Sequence, residues 1–147
     1  MPMFAVESAP IWRRLAALFY DLLVLVAIWM FAAALVLLAF GGEVDVAHQP
    51  PLYHATLQGA LLFLTSLYFA LSWSRGGQTI GMRAWRVKVV DASGHSLDFR
   101  HAIRRFALAL ISFCFAGFGF IWCLFDSDRR AWHDVVGKTR MVVNSRY

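Results

Sequence analysis

The chain has 147 residues, of which 60% are hydrophobic and 16% are charged. This composition excludes an ordinary soluble domain, in which about a quarter of the residues carry charge. The net charge of +5 can indicate nucleic-acid binding, but its distribution along the chain argues against that class. We therefore predict one integral membrane domain over residues 1–147, with a predominantly α-helical fold.

Three apolar stretches are each long enough to cross the bilayer core, which needs about 20 residues in a helix. They predict helices over about residues 11–40, 55–73 and 99–125. The first apolar run, from Leu15 to Phe40, is too long for the core of a signal peptide. We therefore expect it to be retained as a membrane helix.

Lysine and arginine are distributed unevenly between the connecting segments. The connection 41–54 has none, whereas residues 74–105 contain seven and the tail 126–147 contains five. Because Lys and Arg concentrate on the cytoplasmic side of membrane proteins, we expect the N-terminus and the middle connection to be cytoplasmic. The first loop should lie outside.

The middle connection, residues 74–98, contains a strand pattern. Its sequence A-W-R-V-K-V-V, residues 84–90, alternates apolar and basic residues and predicts a half-buried strand. Thr139–Val143 in the tail has a similar pattern. The two segments predict a small cytoplasmic β-ribbon, which needs support from the helices or from a second subunit because two strands alone are marginally stable.

The third apolar stretch leaves two topologies open. It either crosses the membrane completely, or breaks at Gly117–Gly119 and returns as a re-entrant segment. A complete crossing would place the basic tail outside, against the usual charge distribution. Pairing of the two strands also requires both on one side, so we favour the return and a cytoplasmic tail motif over residues 126–147.

Asp21 is the only charged residue in the first apolar run. A carboxylate at the bilayer centre costs about 2.5–3.5 kcal/mol on insertion scales, so it indicates a partner or a function. Arg14 lies seven residues earlier on the same helix face, about 10 Å away along the axis. Either a third group bridges these two side chains, or each pairs with another segment.

The tail segment R-R-A-W-H-D-V-V-G-K-T concentrates polar groups after the last apolar stretch. His133 and Asp134 are adjacent and do not face each other on a helix, so they form no catalytic dyad by themselves. We expect Asp134 to pair with an arginine, and the candidates are Arg14, Arg104 and Arg105. A solvated cap or a surface ion pair is the alternative.

No nucleophile, base or metal-binding set converges in this sequence, so we predict neither an enzyme nor a cofactor. The glycine-rich residues 76–81 precede a strand and lack the lysine of a phosphate-binding loop, which indicates a turn at the membrane surface. His48 and His54, with Glu43 and Asp45, match no strong metal-binding spacing. We therefore predict no metal site.

Three ordered motifs resemble the RDD family of small, mostly bacterial membrane proteins, named for one arginine and two aspartates. Arg14, Ala17 and Asp21 match the spacing of its first-helix motif. The segment GGQTIGMRAWRVKVVDASGHSLDFRHAIRR is similar to its glycine–glutamine–threonine turn, strand and arginine-containing helix start. The segment RRAWHDVVGKTRMVV is similar to its C-terminal motif, with Asp134 as the second aspartate. The likeness covers about residues 10–143, although Gly137-Lys138 replace the usual small residue and glycine before the last threonine.

The resemblance implies a multi-pass bacterial membrane protein, and together with the charge distribution it leads us to expect the inner membrane and a cytoplasmic N-terminus. It also implies that Arg14, Asp21 and Asp134 act as one polar network. The residues that we expect to support this network are Arg104, Arg105, His133, Gln78, Thr79 and Thr139.

The family is suspected of transport, and our leading hypothesis is transport of a small cation, a proton or a polar solute. Asp21 would bind or exchange the cation, Arg14 would hold the carboxylates, and Asp134 would close the site from the cytoplasmic side. Two or three spans enclose little volume, so a pathway would require a homo-oligomer in the lipid bilayer. The alternative is a structural or accessory membrane protein in which the network is a folding clamp; neither hypothesis involves nucleic acid.

Overall fold

The computed structural model describes residues 8–42, 50–114 and 132–144. The predicted break at Gly117–Gly119 and most of the first loop lie outside these residues. The described elements, in chain order, are α1 (Ile11–Ala39), α2 (Pro51–Gly76), α3 (Ile80–Ala84), β1 (Val87–Asp91), α4 (Phe99–Cys114), α5 (Trp132–Val136) and β2 (Thr139–Val143).

Helices α1 and α2 are long and apolar enough to cross a membrane. Only 17% of the most apolar window of α1 and 6% of that of α2 is buried inside the protein. A core helix of a soluble protein would be mostly buried, so these exposed apolar surfaces fit a membrane protein. At 1.5 Å per residue, the 29 residues of α1 extend about 44 Å, which exceeds a bilayer core of about 30 Å.

Helix α2 is longer than predicted at both ends. It begins at Pro51, because proline suits the first helical position, where its missing N–H is not needed. It ends at Gly76, because Gly77 adopts the left-handed conformation with φ 70°. Within the paired helices, Trp29 Nε1 donates to Thr65 Oγ1 at 2.8 Å, so an indole N–H in an apolar surrounding has a partner.

The segment between α2 and β1 corrects the predicted strand. We expected a turn followed by a strand over residues 84–90, but Ile80–Ala84 forms the short helix α3 and the strand begins at Val87. Thr79 causes this difference, because its hydroxyl accepts from Met82 N at 3.2 Å and caps the helix. Residues 85 and 86 form the turn before the strand, and Arg86 there has φ 53°.

Strands β1 and β2 pair antiparallel, which confirms the predicted two-stranded sheet. The middle residue of β1, Val89, is opposite the middle residue of β2, Met141. The chain before α1 adds support, because Ala9 N donates to Met141 O at 2.9 Å and Ser8 forms a bridge with Val142. The ribbon is therefore extended by the N-terminal segment and lies at the same end of the helices as the start of α1.

Two segments that share few identical residues have the same local structure. Residues 80–91 and 132–143 each contain a five-residue helix, a two-residue turn and a five-residue strand. The last turn residue has a positive φ in both, 53° at Arg86 and 51° at Lys138. We call these segments the first and second helix–turn–strand units. They pair through their strands, and both contact the first three turns of α1.

The buried core lies at this end of the molecule rather than between the long apolar parts of α1 and α2. The α2–α4 contact continues it, with the rings of Phe69 and Phe106 stacked at 5.9 Å. The core residues come from four helices, the strand β1 and the segments beside them: Ala9, Ala17, Ala70, Trp73, Met82, Val87, Val89, Leu97 and Ala102.

Candidate functional site

The Asp21 carboxylate is buried and accepts three hydrogen bonds. Its Oδ1 accepts from Tyr68 Oη at 2.7 Å and from the backbone N of Gly81 at 2.9 Å. Its Oδ2 accepts from Thr79 Oγ1 at 2.5 Å. Only 2% of Asp21 is exposed, and all three donors are neutral groups. We call these four residues the Asp21 group.

Local sequence explains why the donors meet this carboxylate. Thr79 begins α3, and a free backbone N–H in the first turn of a helix needs an outside acceptor, which Asp21 supplies to Gly81. Gly81 is required by space, because a Cβ there would lie 2.1 Å from the carbonyl oxygen of Ala17. The small residue at Ala17 and the glycine together let α3 contact the backbone of α1.

The Asp134 carboxylate lies between two arginines. Its Oδ1 accepts from Arg105 Nη1, and its Oδ2 lies 3.5 Å from Arg14 Nη1. Arg105 and Asp134 are 2% and 1% exposed, so this is a buried ion pair. Thr139 Oγ1 accepts from the same Arg105 nitrogen. We call these four residues the arginine cluster.

Backbone and aromatic groups complete the environment of the two cations. Arg14 Nε donates to the carbonyl of Ala9 at 2.9 Å. The guanidinium of Arg105 lies over the ring of Trp73, 5.0 Å from its centroid, in a cation–π contact. Both arginines are therefore fixed by α1, α2, α4 and the second helix–turn–strand unit.

The structure places the two predicted aspartates in different surroundings. Arg14 and Asp21 face different segments, as one of our two alternatives for this pair expected. Asp134 contacts both Arg14 and Arg105, whereas Arg104 is exposed and directs Nη2 to the Val136 carbonyl at 3.5 Å. The three residues expected to form one network thus divide between the Asp21 group and the arginine cluster.

Two further residues were predicted to support the site, Gln78 and His133. Gln78 Nε2 donates to the Val87 carbonyl at 2.8 Å, which fixes the start of β1. His133 lies in α5, and its side chain is outside the described parts. Within the described ranges, no group of three or more His, Cys, Asp or Glu side chains is placed to hold a metal ion.

The comparison with known families agrees with the motifs. Residues 8–138 match the family model described as the RDD family, which covers most of the chain. The chain belongs to the RDD family. The match includes both helix–turn–strand units up to the second turn, and all three of Arg14, Asp21 and Asp134. No curated protein and no solved structure matches this RDD protein.

Sequence reasoning missed two residues of the site in this RDD protein. Tyr68 lies in the apolar part of α2. A hydroxyl on a membrane-length helix needs a hydrogen-bond partner, and this need could have indicated that Tyr68 contacts a polar residue. Gly81 was interpreted as part of a turn, and only the close approach of α3 to Ala17 shows why it is glycine.

Proposed function

We propose that this RDD protein is an integral membrane protein that moves a proton or a small cation, and that Asp21 exchanges it. The observation that carries the proposal is the buried Asp21 carboxylate with neutral donors only among its described contacts. Buried carboxylates on membrane helices are uncommon and mark ion and proton pathways.

The two hydroxyls beside Asp21 suit exchange of a proton. When the carboxylate is ionised, Tyr68 and Thr79 donate to it. When it is protonated, its O–H can donate to either hydroxyl oxygen, because a hydroxyl is both a donor and an acceptor. Both protonation states therefore keep hydrogen bonds. The same oxygens are the ligand type that small hard cations prefer.

The described residues of the two polar groups carry two positive and two negative charges. The arginine cluster has two cations and one carboxylate, and the Asp21 group has one carboxylate. In the proposal, the arginine cluster holds the helices in place while Asp21 alone changes its protonation state or ligand.

The orientation belongs to the proposal as well. The N-terminal segment, β1 and β2 lie together, and the basic residues flanking them support a cytoplasmic position in the inner membrane. A pathway past Asp21 would be shared with a second copy, because the described helices enclose little volume. A reporter fused after Tyr147 in intact cells tests the orientation, and an external reporter signal would contradict it.

Purified protein in vesicles tests the transport proposal. A pH-sensitive dye inside the vesicles should report flux when a proton or sodium gradient is imposed on the wild-type protein. Asp21→Asn keeps the shape of the side chain and removes its charge, so it should abolish the flux without unfolding the protein. Asp98→Asn, at an exposed position, is the matched control and should retain it. Unchanged flux in folded Asp21→Asn, or no wild-type flux above protein-free vesicles, would contradict the proposal.

The second candidate function is a structural or accessory role in membrane assembly. One observation favours it: Asp21 satisfies the backbone N–H of Gly81, which would otherwise need a partner in an apolar surrounding. Under this hypothesis, Asp21→Asn changes the thermal stability and leaves any flux unchanged. The vesicle experiment therefore separates the two candidates.

A further inference from the structure

A basic cavity shares no described lining residue with the Asp21 group or the arginine cluster. Its volume is about 450 Å³, and it is lined by Gln78, Arg83, Arg86 and Asn144. This volume is within the usual range for small-molecule sites, about 300–1,000 Å³. The cavity therefore has room for a phosphate group with its substituents, and two of the four described residues that line it are arginines.

Neither arginine of the cavity is neutralised by a described carboxylate. Both Arg83 and Arg86 are exposed, and the ion pairs found within the described ranges involve other residues. Gln78 and Asn144 add amide groups, which can donate to phosphate oxygens. A planar guanidinium can bind a phosphate through two parallel hydrogen bonds, so two arginines at one cavity favour an anion.

The cavity lies close to the end of α2. The Arg83 guanidinium lies beside Gly76, the last residue of α2; a Cβ on that glycine would come 3.9 Å from Arg83 Nη2. With α2 spanning the membrane as proposed above, this end of the helix lies at the level of the lipid headgroups. Basic pockets at that level on the cytoplasmic side bind anionic headgroups.

We propose that this cavity binds a phosphate group, with Arg83 and Arg86 as its ligands. Two sources share this chemistry: the headgroup of an anionic phospholipid, or a soluble phosphate compound. The site is separate from Asp21, and its test does not depend on transport.

The test uses the full-length protein purified in detergent. Phosphatidylglycerol, phosphatidylcholine and inorganic phosphate are titrated separately, with retained lipid measured by native mass spectrometry and phosphate by the thermal unfolding midpoint. In the double variant Arg83→Gln/Arg86→Asn, asparagine suits the positive φ of residue 86. We expect this variant to bind the anionic ligand at least about tenfold more weakly than wild type.

A matched control removes the same charge elsewhere. Arg100→Gln/Arg140→Gln changes two exposed arginines that do not line the cavity, and it should bind like wild type. A preference for phosphatidylglycerol over phosphatidylcholine that the cavity variant loses assigns the site to a lipid headgroup. Phosphate binding without a lipid preference assigns it to a soluble compound. Wild-type binding by the cavity variant, or equal loss in both double variants, would overturn the proposal.

Discussion

Gly81 donates its backbone N–H to the Asp21 carboxylate at 2.9 Å and lies against the carbonyl of Ala17, one helical turn earlier on α1. The two contacts join the five-residue helix α3 to the long apolar helix α1. In an apolar surrounding, backbone groups outside a continuous helix need partners from the protein. Asp21 supplies such a partner, so its position follows from the fold whether or not it also exchanges a cation.

Gly81→Ala should be strongly destabilising. The added Cβ would lie 2.1 Å from the Ala17 carbonyl oxygen and 3.0 Å from Asp21 Cγ, and backbone cannot move away as a flexible side chain can. We expect a loss of about 1–3 kcal/mol or more in the free energy of unfolding, measured as a lower thermal midpoint in detergent. Gly59→Ala is the control, because nothing lies within 4 Å of its Cβ position, and it should gain up to about 1 kcal/mol from helix propensity. Equal midpoints for the two variants would contradict the close contact.

Removing the carboxylate from the arginine cluster should lower the stability of the protein more than removing one arginine. Asp134→Ala leaves Arg14 and Arg105 buried without the charge between them, and breaking a buried pair in this way costs about 3–5 kcal/mol. Arg105→Met keeps the pair of Arg14 with Asp134 and should be milder. Arg104→Met, the exposed neighbour, should stay close to wild type. Thermal midpoints in the order Arg104→Met, Arg105→Met, Asp134→Ala, from highest to lowest, support this; a reversed order of the last two would disprove it.

The hydroxyl of Thr79 should contribute more to the stability of the protein than its methyl group. It donates to Asp21 Oδ2 and accepts from Met82 N, so it serves both the carboxylate and the start of α3. Thr79→Val keeps the shape and removes both bonds, and we expect a loss of about 2–3 kcal/mol from the cap and the charged hydrogen bond. Thr79→Ser keeps the hydroxyl and should recover most of the thermal midpoint. A serine variant as unstable as the valine variant would assign the effect to packing.

The sequence predicted the elements whose periodicity is strong and local. The long apolar helix α1 and the strand Thr139–Val143 are found as predicted, and the strand predicted over residues 84–90 is found from Val87 onward. Length and hydropathy were enough to predict the apolar helices, and an alternation with a period of two was enough to predict the strands. Asp21 and Asp134 were singled out by charge, because an ionised group in or beside an apolar run is costly to bury alone.

The contacts of those residues could not be predicted because they depend on tertiary approach. Nothing in the local pattern distinguishes Arg105, which is 2% exposed, from Arg104 beside it. Which of the two is buried depends on the direction in which α4 packs against α2. The helix α3 was missed because five residues are too few for a periodic signal, and its Thr79 cap was interpreted as a turn. The helices of the two helix–turn–strand units were not predicted to be alike, since residues 80–84 and 132–136 have different side chains.

Lys138 offers a test of the second helix–turn–strand unit that leaves its polar contacts intact. Its φ of 51° is unfavourable for a residue with a Cβ by about 1–2 kcal/mol, and glycine removes this penalty while losing some chain entropy. Lys138→Gly should therefore raise the free energy of unfolding by about 0.5–1 kcal/mol. Arg140→Gly removes the same charge two residues later, inside β2, and should be destabilising because glycine weakens a strand interior. If both glycine variants lower the thermal midpoint in detergent equally, residue 138 does not keep the left-handed conformation in the folded protein.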